Sequence, residues 1–123
     1  HIQIFSLFAM SKPSFKALFE EYAAELATRS PSSLPNYVSS DVELHYKGGQ
    51  KDVGLSSLQS FFAKEWSRDV NIKVLSVEEL PGQDAVQIKA VDQDDVDNVV
   101  TTTYHYGNHG GKWVITKLDT EYK

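Results

Sequence analysis

At 123 residues, with 41% hydrophobic and 24% charged residues, the chain has the size and make-up of one globular domain with one core, and it is neither disordered nor fibrous in composition. Its net charge of −5, with no clustered Lys/Arg face, argues against a phosphate-backbone partner, so no nucleic acid is expected. The lack of cysteine excludes disulfides, a thiolate nucleophile and a cysteine zinc site, and it fits a reducing, cytoplasmic setting.

The longest apolar stretch, Ile2 to Met10, is too short to span a bilayer, so no membrane partner is expected. It has no basic n-region. Residues 1–13 are read as an N-terminal extension in which Met10-Ser11-Lys12-Pro13 resembles a native start preceded by appended residues. In the alternative, Ile2, Ile4, Phe5 and Phe8 pack on the domain, which itself is expected over 14–123.

Phe15, Leu18, Phe19, Tyr22 and Leu26 recur at helical spacing with Glu20, Glu21 and Glu25 opposite, predicting an amphipathic helix capped by Ser11 or Ser14. Ser30-Pro31-Ser32-Ser33 ends it and starts a short helix through Leu34, Tyr37 and Val38. From Asp41 the period changes to two, with Val42, Leu44 and Tyr46 alternating with Glu43 and His45, which predicts a half-buried strand closed by Gly48-Gly49. After Gly54, Leu55, Leu58, Phe61, Phe62 and Trp66 form one stripe of a further helix ending near Arg68-Asp69. The rest reads as strands: Val70 to Leu80, Ala85 to Val91, Val99 to Tyr106 and Trp113 to Glu121, separated by Pro81-Gly82-Gln83-Asp84, by the acidic Asp92 to Asn98 and by Gly107 to Gly111. This order predicts an α+β fold with helices packed on a curved antiparallel sheet that forms a cone around an internal pocket.

The stretch Phe15 to Leu26, the junction Tyr37-Val38-Ser39-Ser40-Asp41-Val42-Glu43-Leu44 and the opening of the last strand, Gly111-Lys112-Trp113-Val114-Ile115, together resemble the nuclear-transport-factor-two-like (cystatin-like α+β) superfamily, in its SnoaL-like and ketosteroid-isomerase-like branch. The resemblance spans roughly Ser14 to Lys123. It places Tyr22 where the isomerases keep their oxyanion-hole tyrosine, and Tyr46 and Thr102 where they keep two catalytic aspartates. With both acids replaced, steroid isomerisation lacks its base. The same overlay puts Leu44, Tyr46, Thr102, Tyr104, Tyr106, Thr116, Leu118 and Thr120 on the concave, pocket-lining face, with Trp66 at the mouth. It puts His45, Thr101, Thr103, His105, Trp113 and Ile115 on the convex face, and implies a homodimer built there on Trp113, Ile115 and His105.

Tyr22, Tyr46, His45 and His105 are the catalytic candidates, because phenols can polarise an oxygen and imidazole titrates near neutrality. Against the histidines stands strand parity, which points both away from the pocket; a one-residue bulge would reverse it. His109 falls in a glycine-rich turn. Lys117 and Asp119 read as a surface ion pair, and Asp41 as a junction residue. Asp92, Asp94, Asp95 and Asp97 lack the glycine and glutamate spacing of a calcium loop, so no metal and no cofactor are expected. The expectation is a pocket for a small hydrophobic molecule, either a binder or a cofactor-free lyase, isomerase or cyclase; the alternative is a non-catalytic dimeric module that binds a protein.

Overall fold

The structure, a computed structural model, describes residues 13–29, 31–46, 48–67 and 72–122. The expected extension therefore lies almost wholly outside the described residues, as does the Arg68-Asp69 helix end.

Helix α1, Phe15–Ala27, begins at Ser14, whose extended backbone (φ −74°, ψ 111°) and side-chain oxygen accepting from the Ala17 N–H make it the N-cap. Pro13 lies outside that cap. A carboxylate from across the chain completes it: Glu79 Oε1 accepts from the Lys16 N–H at 2.8 Å and the Ser14 hydroxyl at 3.0 Å. A 3-10 turn, Pro31–Asn36, replaces the expected short helix, since Pro35 removes one N–H from any α-helical continuation. Strands β1 (Val38–His45) and β2 (Lys51–Val53) follow, then α2 (Leu55–Ser67), β3 (Ile72–Leu80), β4 (Ala85–Asp92), β5 (Asp95–His109) and β6 (Lys112–Tyr122). The sequence reading lacks β2. Its three residues are too few for a visible alternation, yet the Gly48-Gly49 turn, with both φ values near 90°, folds them back beside β1.

One six-stranded sheet runs in the order β2-β1-β6-β5-β4-β3. Its hairpin pairs are antiparallel as expected, but β1 and β6 run parallel, so the sheet is mixed rather than antiparallel throughout. The reason is connectivity. Hairpin turns dictate direction only for consecutive strands, whereas β1 and β6 are joined through the whole of the fold between them. The sheet stays open, with β2 and β3 as its edges.

Both helices cover one face: α1 lies over β3 and β4, and α2 over β1 and the 3-10 turn. Between helices and sheet sits the core, with Phe15, Phe19 and Tyr22 from α1, Leu58 from α2, and Val42, Leu44, Val86, Ile88, Tyr106, Ile115 and Leu118 from the sheet.

Two residues placed on the convex face by strict alternation face the helices instead. Ile115 is 0% exposed within the core, and Trp113 packs against it with its ring 5.3 Å from that of Phe15. The cause is a bulge. In the β5–β6 ladder His105 pairs with Lys117 and Tyr106 with Ile115, leaving Thr116 as an extra residue. One extra residue inverts the parity of everything before it on the strand. The Thr116 hydroxyl donates to the His105 carbonyl at 3.3 Å, which gives the extra residue a partner in the sheet.

Candidate functional site

The functional candidates separate onto the two faces of the sheet. On the covered face, alternation along β5 sends Thr102, Tyr104 and Tyr106 toward α1, opposite Thr120, Leu118 and Ile115 of β6. Helix α1 supplies Phe19 and Tyr22 one turn apart. These residues meet ring against ring. The Tyr22 centroid lies 5.8 Å from Tyr104, 6.1 Å from Phe19 and 6.2 Å from Tyr37, and Phe19 lies 5.0 Å from Tyr104. Such tilted and edge-on contacts are the favourable geometry for aromatic quadrupoles. Tyr37, read from sequence as part of the short helix and of the junction into the first strand, thus joins the cluster.

Within this cluster the Tyr22 hydroxyl is buried and has no hydrogen-bond partner, and the Tyr106 hydroxyl shares that condition. An unpaired buried hydroxyl costs about 1–3 kcal/mol, so each is an unspent donor. Burial pushes the Tyr22 phenol well above its ordinary value, with the neighbouring Tyr104 and Tyr106 adding to the rise. Burial raises Tyr104 and Tyr106 as well. All three remain neutral phenols that donate a proton in a hydrogen bond without giving it up.

The imidazoles lie on the other face. His45 Nε2 meets Glu43 Oε1 at 2.8 Å, and Lys51 reaches the same oxygen at 3.2 Å. Donation from His45, then from Lys51, holds the Glu43 carboxyl below its ordinary value. His105 Nε2 lies 3.3 Å from Asp119 Oδ2 without hydrogen-bond alignment, and Lys117 approaches the same oxygen at 3.5 Å. The predicted Lys117–Asp119 pair is thus joined by a histidine. His45 and Asp119 are themselves register partners across β1 and β6, so one band of alternating charge crosses the outer face.

Tyr46 stands at a third place. It packs on the edge of the core and lines an open cleft with Asp52, Ser56, Ser60, Phe61 and Lys64, the last four from α2. The structure therefore brings Tyr22, Tyr104 and Tyr106 together, and leaves His45 and His105 outside them. Trp66 belongs to α2, but its side chain lies outside the described part. Among the described residues no His/Cys/Asp/Glu group of three or more is arranged to hold a metal. Among the described residues no helix is long and apolar enough to cross a membrane.

No protein-family model matches this chain, and no curated protein is similar to it in sequence. Solved structures are similar in shape. A SnoaL-like protein of unknown function from Burkholderia thailandensis superposes with a TM-score of 0.69 at 13% identity, over 91% of this chain and 97% of that one. An uncharacterised protein with a cystatin-like fold from Caulobacter vibrioides gives 0.66 at 13% identity, over 89% and 87%. An NTF2-like protein of unknown function from Pseudomonas putida gives 0.64 at 14% identity, over 87% and 82%. The chain thus has the cystatin-like α+β fold that SnoaL-like and NTF2-like proteins share.

Proposed function

We propose that this protein binds a small, mainly apolar molecule carrying a carbonyl or phenolic oxygen, seated beside Tyr22 between α1 and the sheet. The observation that carries the reading is the Tyr22 hydroxyl, fully enclosed among aromatic rings and without a partner of its own. A ligand oxygen there would accept the hydrogen bond, while Phe19 and Tyr104 supply the apolar walls. Tyr37, half-buried like Tyr104, is the ring such a ligand displaces.

The reading is one of binding rather than proton transfer. An enzyme of the lyase, isomerase or cyclase kind needs a base beside the substrate, and His45 and His105 lie beside Glu43 and Asp119 on the opposite face. The homodimer implied by the resemblance is left out of this reading, since Trp113 and Ile115, meant to anchor it, pack under the helices.

The test is a thermal-shift screen with hydrophobic ketones, phenols and sterols on the natural chain, Tyr22→Phe and Tyr46→Phe. Stabilisation that Tyr22→Phe abolishes is the expected result. Stabilisation that survives Tyr22→Phe unchanged, or none with any of these compounds, overturns the reading.

A further inference from the structure

We infer that the cleft between β2 and α2 is a separate binding site for a neutral carbohydrate moiety. Its chemistry differs from that of the interior in each respect that matters for ligand choice. It is open, measures about 420 Å³, and is lined mostly by hydroxyl-bearing and charged groups beside two aromatic rings. That volume lies within the range of small-molecule sites. A sugar ring has apolar C–H faces and an edge of hydroxyls. It is held by an aromatic face, by a planar carboxylate that accepts from adjacent hydroxyls, and by further donors around it.

The cleft presents those groups on rigid supports. Phe61 is 38% exposed, and its ring lies 5.4 Å from that of Phe62 at 70°. Tyr46 is fixed by its backbone, its N–H donating to the Gln50 carbonyl at 2.9 Å and its carbonyl accepting from Gly49. Asp52 pairs with Leu44 in the β1–β2 ladder, so its carboxylate leans to the helix side of the sheet, toward α2. Ser56, Ser60 and Lys64 recur every four residues along one stripe of that helix.

Other ligand classes fit less well. Asp52 shares the cleft with Lys64, so the site has no net positive charge to hold a phosphate or carboxylate. With a single carboxylate it cannot cage a hard cation. An apolar molecule would desolvate the Asp52 carboxylate and the serine hydroxyls without offering them a hydrogen bond.

The experiment is titration of the ¹⁵N-labelled chain with maltose, cellobiose and N,N′-diacetylchitobiose, read by amide shifts and by saturation transfer to the sugar. Saturable shifts at Asp52, Ser60 and Phe61 with at least one disaccharide are expected. Affinity should fall about tenfold or more in both Phe61→Ala and Asp52→Asn and stay unchanged in Tyr22→Phe. Asp52→Asn is nearly isosteric and exposed, so it keeps the test decisive should Phe61→Ala fold poorly. Absence of saturable shifts with all three sugars, equal affinity in Asp52→Asn, or shifts produced by inorganic phosphate but not by sugars would each overturn the inference. Because Tyr22 and Asp52 are tested by different variants and different ligands, failure at one site is distinguishable from failure at the other.

Discussion

The two faces of the sheet are made by the same strands yet hold opposite chemistries. Along β5, Thr102, Tyr104 and Tyr106 face the helices, while Thr101, Thr103 and His105 face away. Inside, the polar groups are neutral hydroxyls in an aromatic setting. Outside, Glu43, His45, Lys51, Lys117 and Asp119 pair with one another within reach of water, with the buried His105 Nε2 beside Asp119. A period of two in the backbone is enough to sort titratable side chains from non-titrating ones. The aromatic cluster can therefore offer directed hydrogen bonds from phenols that stay protonated, while His45 and His105 remain on the other side of the sheet.

That sorting is read most directly at two positions of β6 on either side of the bulge at Thr116. Ile115→Ala should cost about 2–4 kcal/mol as a buried truncation, whereas Lys117→Ala should stay within about 0.5 kcal/mol. Equal costs would mean that Ile115 faces out, as strict alternation has it.

The bulge also marks where sequence reading stops. The helices, the long strands, the α+β order and the placement of Tyr22, Tyr104 and Tyr106 together follow from periodicity and from the resemblance, because those signals repeat over many residues. Nothing in Trp113-Val114-Ile115-Thr116-Lys117-Leu118 marks Thr116 as the extra residue. Its position is set by the register of two neighbouring strands, and a local pattern carries no information about it. The same holds for Glu79. On its own strand it reads as one of two surface glutamates, and only the docking of α1 makes it a helix cap. The parallel direction of β1 and β6 is likewise a property of the whole path of the chain.

The contrast between faces sharpens into a pH profile. Tyr22, Tyr104 and Tyr106 have pKa values raised in the folded chain, while in the unfolded chain they titrate near the ordinary value of about 10. Above that pH the unfolded chain has lost protons that the folded chain still holds, so stability falls as pH rises beyond it. Below it these groups contribute their full share and no slope. Urea midpoints should be flat from neutral pH to about 10 and then decline steeply, and the decline should be shallower in Tyr22→Phe. The same variant at pH 7 should be neutral or more stable by up to about 1 kcal/mol, because it removes a hydroxyl that has no partner. A loss of more than that would mean the hydroxyl is satisfied, and with it the proposed ligand contact would fall.

At the acid end the smallest effect isolates a single contact between α1 and β3. The Lys16 N–H, then the Ser14 hydroxyl, donate to Glu79 and hold its carboxyl below the ordinary value. A carboxyl with a lowered folded pKa contributes stability above its unfolded value of about 4.3, and that contribution is lost as pH falls through the folded value. Glu79→Gln keeps the shape and an acceptor oxygen but removes the charge facing the helix N-terminus, so it should lower the Tm slightly at pH 7 and not at all at pH 2. The charge matters because the first turn of α1 carries no acidic residue of its own, leaving a strand residue to supply what helices usually take from their own sequence. If Glu79→Gln and the natural chain have the same Tm at both pH values, the hydrogen-bond geometry alone holds α1 on the sheet edge and the charge adds nothing.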